Sequence, residues 1–360
     1  MTSIKKKIFE NFIDANPKSL LKKKNVIDEF EKTHLENKID IKGDYSLILN
    51  LGKLNKDKIF YIIRRTPGAG MFSNVLFVLN HIKIAKKYNF IPVVDMKNFV
   101  SIYNDDSISL KESNSWKYYF EQISKYDLEE VYKSHKVIVT GNNFYNFFNY
   151  NLEDKSLKKL FDENVLFKKY LKRYIVSFEN KFFKNDRVLG VHFRGTSYKT
   201  SAGHPLVATK NQMFRLTNKI LKNENLDKIF LVTEEKSHLE FFLKKFGKKI
   251  VYLKSSFRSN KNNAFTTYPR NKHRYKMGSE IITETVLLSK CDSFLFVDTN
   301  VSSAVIALDQ NKNQKRFKID NGFNSKNIFY ALIKWYLKKY LPYFLGGFKK
   351  EPKLIFLKNQ

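Results

Sequence analysis

The sequence predicts an α/β protein built as two halves that face a cleft. Three observations carry this. Short β-branched and aromatic runs alternate with longer stretches of helical apolar spacing across residues 59–310. Several short runs end abruptly in charged, hydroxyl or glycine residues, as a buried parallel strand does where its carboxyl end opens into a ligand crevice. The chain's 360 residues are enough for two domains of ordinary size.

Residues 1 to about 57 are polar and lysine-rich, with weak helical spacing. Residues 59–63, Ile-Phe-Tyr-Ile-Ile, form the first expected core strand. A turn with Gly68, Ala69 and Gly70 follows, then a helix whose Val75, Leu76, Val78, Leu79, Ile82 and Ala85 share one broad face. Residues 91–95 are the next strand, completing a βαβ unit. Residues 114–132 have an aromatic-rich helical pattern with Trp116, Tyr118, Tyr119 and Phe120, and these rings could stack on sugars or pack a core. Residues 137–140 give a further strand. Residues 157–183 are helical by pattern and heavy in lysine, so the boundary is placed near residue 170, dividing the chain into 1–170 and 171–360.

In the second half, strands are expected at 188–193, 229–232, 250–253 and 294–297. Helices are expected at 211–223, 237–246, 279–289 and from about 302, with a polar loop over 255–276. The last helix, about 326–339, carries Phe329, Tyr330, Leu332, Ile333, Trp335 and Tyr336 beside lysines. That pattern suits either an interfacial membrane contact or a helix that crosses back onto the first domain.

The 66 Lys and Arg residues against 35 Asp and Glu leave a net charge of +31. Such a field favours nucleic acid, anionic lipid or phosphorylated small molecules. The excess of lysine over arginine and the abundance of asparagine also fit simple codon bias. No helix-turn-helix, zinc-finger or ribonucleoprotein motif accompanies the charge, so nucleic acid is not the expected partner. Cys291 is the single cysteine, which excludes an internal disulfide framework and points to a reducing, cytoplasmic setting. It precedes an apolar strand and reads as a packed small residue. No stretch is long and apolar enough to span a bilayer, and residues 1–14 lack the apolar core of a secretory signal.

Four stretches could carry chemistry. In Val188–Ser197, Arg194 stands where the strand runs out and offers a planar fork that matches a phosphate. Gly195 would let a ligand approach the backbone, and Thr196 and Ser197 could donate to phosphate oxygens. The bland alternative is a surface ion pair of Arg194. Of His192 and Arg194, one is expected to be structural; Arg194 is favoured as the ligand residue, and His192 is either a core residue or a ligand one. In Val232-Thr233-Glu234-Glu235, the acids either read a base or ribose hydroxyl or favour the next helix N-terminus. In Val297–Ser303, a strand ends in Thr299, Ser302 and Ser303 at a helix start, a cradle suited to a diphosphate. A basic loop with Arg258, Arg270, Lys272, His273, Arg274 and Tyr275 could lie over it as a lid. In the first half, Gly68, Gly70 and Asn74 at a helix start could hold an anion or an approaching substrate. No spacing of His, Cys, Asp or Glu indicates a metal site, and the phosphate-loop signature of ATPases is absent.

Together these stretches resemble the fucosyltransferase superfamily of glycosyltransferases, which includes α1,2-, α1,6- and protein O-fucosyltransferases and the nodulation fucosyltransferases. The resemblance rests on Gly68-Ala69-Gly70-Met71-Phe72-Ser73-Asn74 and His192-Phe193-Arg194-Gly195-Thr196, extended by Leu231–Glu235 and Leu288–Ser303, and covers residues 59–310. It implies a GT-B architecture of two Rossmann-like domains and an inverting, metal-independent transfer from a nucleoside diphosphate sugar, typically GDP-fucose, with no cofactor. It also implies that Arg194 holds the β-phosphate, that Ser302 and Ser303 touch the diphosphate and that Glu234 lies near the nucleoside. The family often has Asp after the motif's Thr, where this chain has Ser197. Some members have an acid where this chain has Ala202. The general base is therefore open between His204 and Asp95. The acceptor would be a glycan or glycolipid, and a basic surface would suit peripheral docking at the inner face of an anionic membrane. Another nucleotide sugar as donor stays an alternative, as does, more remotely, a basic nucleic-acid-binding protein.

Overall fold

The structure is a computed structural model that describes residues 38–41, 44–65, 69–108, 113–141, 147–148, 154–308, 311 and 313–357. The chain divides into two compact units. The first comprises Met1–Phe148, Lys159–Lys168 and Asn271–Tyr275, and the second Asn149–Lys158, Lys169–Arg270 and Lys276–Gln360.

The first unit holds a five-stranded sheet in the order β1-β2-β5-β3-β4, from β1 (Lys38–Ile41), β2 (Asp44–Leu49), β3 (Leu54–Ile63), β4 (Ile91–Val94) and β5 (Ser134–Val139). β3 pairs in parallel with β4 and β5, while β1 and β2 add antiparallel. β3 is exposed at its start and buried from Phe60 to Ile63, so the apolar run 59–63 marks only its core half. Helix α1 (Met71–Lys87) connects β3 to β4 and is buried over most of its length. An all-round apolar helix must be covered on more than one side. Strands β1 and β2 lie in the stretch expected to be weakly helical. β1 is the edge strand and β2 lies next to it; Lys, Asp and Ser stand between their apolar residues, and their pairing partners are what make them strands.

The aromatic stretch 114–132 is two short helices, α2 (Trp116–Tyr119) and α3 (Leu128–Val131), in place of one long one. Trp116, Tyr118, Tyr119 and Phe120 are all buried, which makes them core and removes them as sugar-stacking rings.

The second unit holds a six-stranded sheet in the order β11-β10-β9-β6-β7-β8. Its strands are β6 (Val188–His192), β7 (Lys228–Val232), β8 (Ile250–Val251), β9 (Ser293–Phe296), β10 (Lys315–Asp320) and β11 (Lys353–Leu357). Neighbours from β10 to β8 pair in parallel, and β11 adds antiparallel to β10. Helices α4 (Lys155–Asn164) and α8 (His273–Lys290) each have residues in both units, while α5 (Lys169–Phe182), α6 (Lys210–Asn223), α7 (Lys236–Phe246), α9 (Asn300–Leu308) and α10 (Ile328–Tyr340) belong to the second. Thr209 caps α6 in a reciprocal pair with Gln212, which fixes where that helix starts.

The core of the second unit lies between β6, β7 and β9 and the apolar faces of α6 and α7, with Val191, Phe193, Met213, Leu231, Phe242 and Leu295 among its buried members. Cys291 is fully buried against the other face of β6, beside Gly190, and burial pushes its thiol pKa up. Strand β10 was missed by pattern because Lys315, Arg316 and Lys318 interrupt it, and β11 is a short apolar run at the edge of the sheet. Arg316 is nonetheless buried and Lys318 is ion-paired, so their charges are accommodated within the unit. Helix α10 packs within the second unit through Trp335, whose Nε1–H donates to the carbonyl of Val207 at 2.9 Å.

Candidate active site

The strand order of the second unit dictates where a ligand can sit. The chain starts at β6, moves to β7 and β8 on one side, and then returns to place β9 on the other side of β6. The connections leave β6 and β9 in opposite directions, and the gap at their carboxyl ends is the crevice that such sheets use for ligands. Arg194 follows β6 at this point, and Val297-Asp298-Thr299 follows β9.

Arg194 is held in place from two sides. Its Nη1 lies 3.2 Å from Glu234 Oε1, at the end of β7, and its guanidinium lies 4.5 Å from the centre of the Tyr198 ring. The side chain is part-exposed, so one side remains open to a ligand. The same Glu234 oxygen accepts from the N–H of Gly195 at 2.8 Å and from the Thr196 hydroxyl at 3.0 Å. The N–H of Thr196 donates to Glu235 Oε2 at 3.0 Å. Burial works to raise the Glu234 pKa, but Arg194 and the Gly195 N–H outweigh it and hold the carboxylate below its usual range.

The donors expected to meet phosphate at Gly195 and Thr196 are therefore spent on carboxylates. Gly195 is required for another reason. A Cβ there would lie 2.2 Å from Glu235 Oε2 and 2.8 Å from His238 Cε1. The glycine makes room for the acid that closes the turn, where the sequence pointed to room for a ligand. Glu234 likewise anchors Arg194 and the turn, a different task from reading a nucleoside.

Behind the turn lies a second buried cluster. Glu235 accepts from Lys199 Nζ at 2.5 Å and from the Ser237 hydroxyl at 2.7 Å, with His238 Nε2 3.5 Å away. Burial opposes its charge, yet His238, Lys199 and the Thr196 N–H lower its pKa to about 2. The His238 ring stacks on Phe193 with centroids 3.7 Å apart, and burial lowers its pKa to about 4.

His192 is buried, which makes it a neutral core ring and removes it from direct donor contact. Burial, with the Arg194 charge added and Glu234 opposing, lowers its pKa to about 3. His204 is exposed, with its ring 4.9 Å from that of Tyr198. Partial burial and then Arg194 lower its pKa, which keeps it unprotonated over a wider range. Asp298 pairs with Lys318 of β10 at 2.6 Å.

At the start of α9, the N–H of Ser302 donates to Thr299 Oγ1 at 3.1 Å, and the N–H of Thr299 donates to Ser302 Oγ at 2.8 Å. This reciprocal cap spends both hydroxyls on the helix end. Ser302 is buried and cannot also touch a diphosphate. Ser303 is part-exposed, its hydroxyl donating to the carbonyl of Thr299 at 3.2 Å. The amides of Asn300 and Val301 remain as first-turn donors without an intrahelical partner.

The basic loop is tied to α8. Arg270 forks onto Glu280 at 2.5 and 2.7 Å, and Arg258 Nη2 meets Glu284 Oε1 at 3.3 Å, so both guanidinia are committed and the free lid is not what forms. Arg274 belongs to the first unit, where its N–H donates to Asp105 Oδ2 at 3.0 Å.

Asp95, the other expected base, is fully buried in the first unit. Its oxygens accept from the N–H groups of Lys97 and Asn98, the Asn98 amide and the Tyr132 hydroxyl at 2.6 to 2.9 Å. It holds the chain after β4 and is out of reach of an acceptor hydroxyl. Asn74 closes its own turn, exchanging hydrogen bonds with the N–H and carbonyl of Ala69 at 3.1 and 3.3 Å. Gly70 has ordinary φ and open space at its Cβ position, so nothing there demands glycine. Gly68 lies outside the described residues.

Tyr198 and Lys199 escaped the sequence reading, although they directly follow the motif. Their roles depend on the one-turn 3₁₀ helix Thr196–Lys199, which turns Tyr198 under Arg194 and Lys199 onto Glu235. Lys318 escaped because its strand did.

No family model and no curated protein matches the sequence. Among solved structures, the chain is similar to the fucosyltransferase NodZ from Bradyrhizobium, at 14% identity over 84% of this chain and 99% of that one, with a TM-score of 0.48. It is also similar to an Arabidopsis thaliana FUT1 in complex with GDP, at 10% identity over 84% and 77% with a TM-score of 0.42. A third is POFUT1 in complex with GDP, at 12% identity over 72% and 73% with a TM-score of 0.34. Likeness at this level assigns no role to any residue of this chain.

Proposed function

We propose that this protein is a glycosyltransferase that binds a nucleoside diphosphate sugar at the carboxyl ends of β6 and β9. The observation that carries the reading is Arg194 at the switch point of the sheet, braced by Glu234 and Tyr198 and still open on one side. A preorganised guanidinium beside a helix N-terminus is a diphosphate site by its chemistry. The sequence motifs, by their resemblance, make GDP-fucose the donor and a glycan or glycolipid the acceptor.

In this reading the acceptor hydroxyl oxygen attacks the anomeric carbon with inversion while the bond to the β-phosphate oxygen breaks. Arg194 and the α9 amides offset the charge that develops on the leaving diphosphate, a task for which no metal is then required. His204 takes the hydroxyl proton. It is exposed and held unprotonated at neutral pH, as a base must be.

The test is a thermal-shift panel of GDP, GDP-fucose, UDP, CMP and ADP in the presence of EDTA. A ligand that binds only the folded chain raises the midpoint, by ~2.7 kcal/mol of stability at a hundredfold excess over Kd. A shift with GDP and GDP-fucose alone supports the reading. A shift with another nucleotide replaces the donor, and no shift with any nucleotide overturns the site.

A further inference from the structure

Helix α10 is buried along one stripe, with Lys334, Lys338 and Lys339 flanking it, and its outward side is apolar. Ala331 and Trp335 face the second unit. On the outward side, Ile328 and Phe329 are 69% and 82% exposed, and Leu332, Ile333, Tyr336 and Leu337 are exposed with them. The surface continues past the helix, where Tyr340 and Phe344 are 76% and 83% exposed. A surface helix ordinarily turns its polar side to water, so a contiguous exposed apolar patch of this kind marks a contact surface.

Charge decides what covers it. Between Asp320 and Glu351 there is no acidic residue, and six lysines stand there: Lys326, Lys334, Lys338, Lys339, Lys349 and Lys350. A second copy of the chain would set lysines against lysines. Residues 1–37 have eight lysines against six acids and are of the same sign. The lysines are also arranged around the apolar surface. Lys334 Nζ reaches the carbonyl of Phe323 at 2.8 Å, and Lys338 Nζ reaches that of Gly346 at 2.6 Å, their stems lying along the segment.

We propose that the outward face of α10 and the turn after it, up to Leu345, is the surface by which this protein seats on an anionic lipid bilayer. Phenylalanines and leucines would enter the acyl boundary, and tyrosines would sit with their hydroxyls at the headgroups. The lysines would meet the anionic headgroups. Protruding rings suit a lipid surface, which yields to them, whereas a protein partner would need a matching cavity for each. No helix among the described residues is long and apolar enough to cross a membrane, so the contact is with one face of the bilayer.

The test is co-sedimentation of the full chain with vesicles of phosphatidylcholine alone and of phosphatidylcholine mixed with phosphatidylglycerol, at moderate salt. Binding is expected to the anionic vesicles and to weaken as salt is raised. The double variant Phe329→Ser/Phe344→Ser removes only exposed rings and should fold with an unchanged thermal midpoint. Its vesicle affinity should fall at least about tenfold, since each lost apolar insertion weakens partition. Lys338→Gln/Lys339→Gln should lose affinity for anionic vesicles selectively. Absence of binding to anionic vesicles overturns the proposal, as does unchanged binding by the phenylalanine variant. A wild-type dimer in light scattering that the phenylalanine variant dissociates, with no vesicle binding by either, assigns the face to a second copy.

Discussion

Glu234 Oε1 lies 3.2 Å from Arg194 Nη1 and accepts two further hydrogen bonds, from the Gly195 N–H and the Thr196 hydroxyl. One carboxylate oxygen thus ties the end of β7 to the turn that leaves β6. Position of the guanidinium and shape of the turn are set by the same atom.

Removing the guanidinium should separate binding from folding. In Arg194→Ala, Glu234 keeps its two turn donors, so the thermal midpoint should move by only a few degrees, roughly the effect of one part-exposed ion pair. The GDP-induced shift should disappear, and transfer should fall about 10²- to 10³-fold, the usual loss when a donor to a developing anion is removed. Arg194→Lys keeps the charge without the fork or the stacking on Tyr198 and should lie between. Calorimetry with GDP and a transfer assay on the same preparations check both halves. An unchanged GDP affinity in the folded Ala variant removes Arg194 from the site.

Gly195→Ala should act in the opposite sense and injure folding first. The φ of Gly195 is −140°, so it is not a left-handed position of the kind that calls for glycine. The obstacle is the carboxylate of Glu235, 2.2 Å from where the new Cβ would lie. Glu235 cannot retreat without giving up Lys199, Ser237 and the Thr196 N–H together. A loss of ~1–3 kcal/mol, as for other overpacked sites, should appear in urea titration. Adding Glu235→Ala to it should recover part of that loss, which a backbone effect would not allow.

The alternation of strands and helices was legible because β6, β7, β9 and α6 are buried elements whose apolar spacing is uninterrupted. Strands β1, β2, β10 and β11 were not, since they lie toward sheet edges and draw their identity from pairing more than from side chains. Within the candidate site, Arg194 was legible from its place at a strand end. The tasks of Glu234, Ser302 and Asp95 were not. A carboxylate or hydroxyl at a strand end reads the same whether it faces a ligand or bonds the next turn, and only the partners decide. Glu234 took Gly195 and Thr196, Ser302 took Thr299, and Asp95 took Tyr132.

Asp95 offers a direct check on that distinction. Asp95→Asn keeps a carbonyl acceptor but loses the second carboxylate oxygen, leaving the set of Lys97, Asn98 and Tyr132 donors incompletely satisfied. A buried donor left without an acceptor costs ~1–3 kcal/mol, so the thermal midpoint should fall. The GDP-induced shift should be unchanged, and kcat should remain within a few-fold of wild type. A loss of kcat by several orders of magnitude with the midpoint preserved would restore Asp95 as the base.

Stability should depend on pH through buried groups of opposite sense. His192 and His238 have pKa values lowered to about 3 and about 4 in the folded chain, against about 6.5 when unfolded. Below pH 6.5 the unfolded chain takes up two protons that the folded chain refuses, so these groups make stability fall as pH falls. Glu284 runs the other way. Burial, against Arg258 and Ser256, raises its pKa to about 7, so between about 4.5 and 7 the folded chain holds a proton that the unfolded chain has released. Glu235, lowered to about 2, joins the histidines below about pH 4.5. Each proton changes the slope of unfolding free energy against pH by ~1.4 kcal/mol per unit. Between pH 4.5 and 6, His192→Gln should therefore flatten the wild-type slope by about that amount, and Glu284→Gln should steepen it by about the same. Urea titrations of the three proteins at half-unit intervals give both differences. Two variants that shift the slope in the same direction would mean that at least one of these groups is not held in the protonation state its burial dictates.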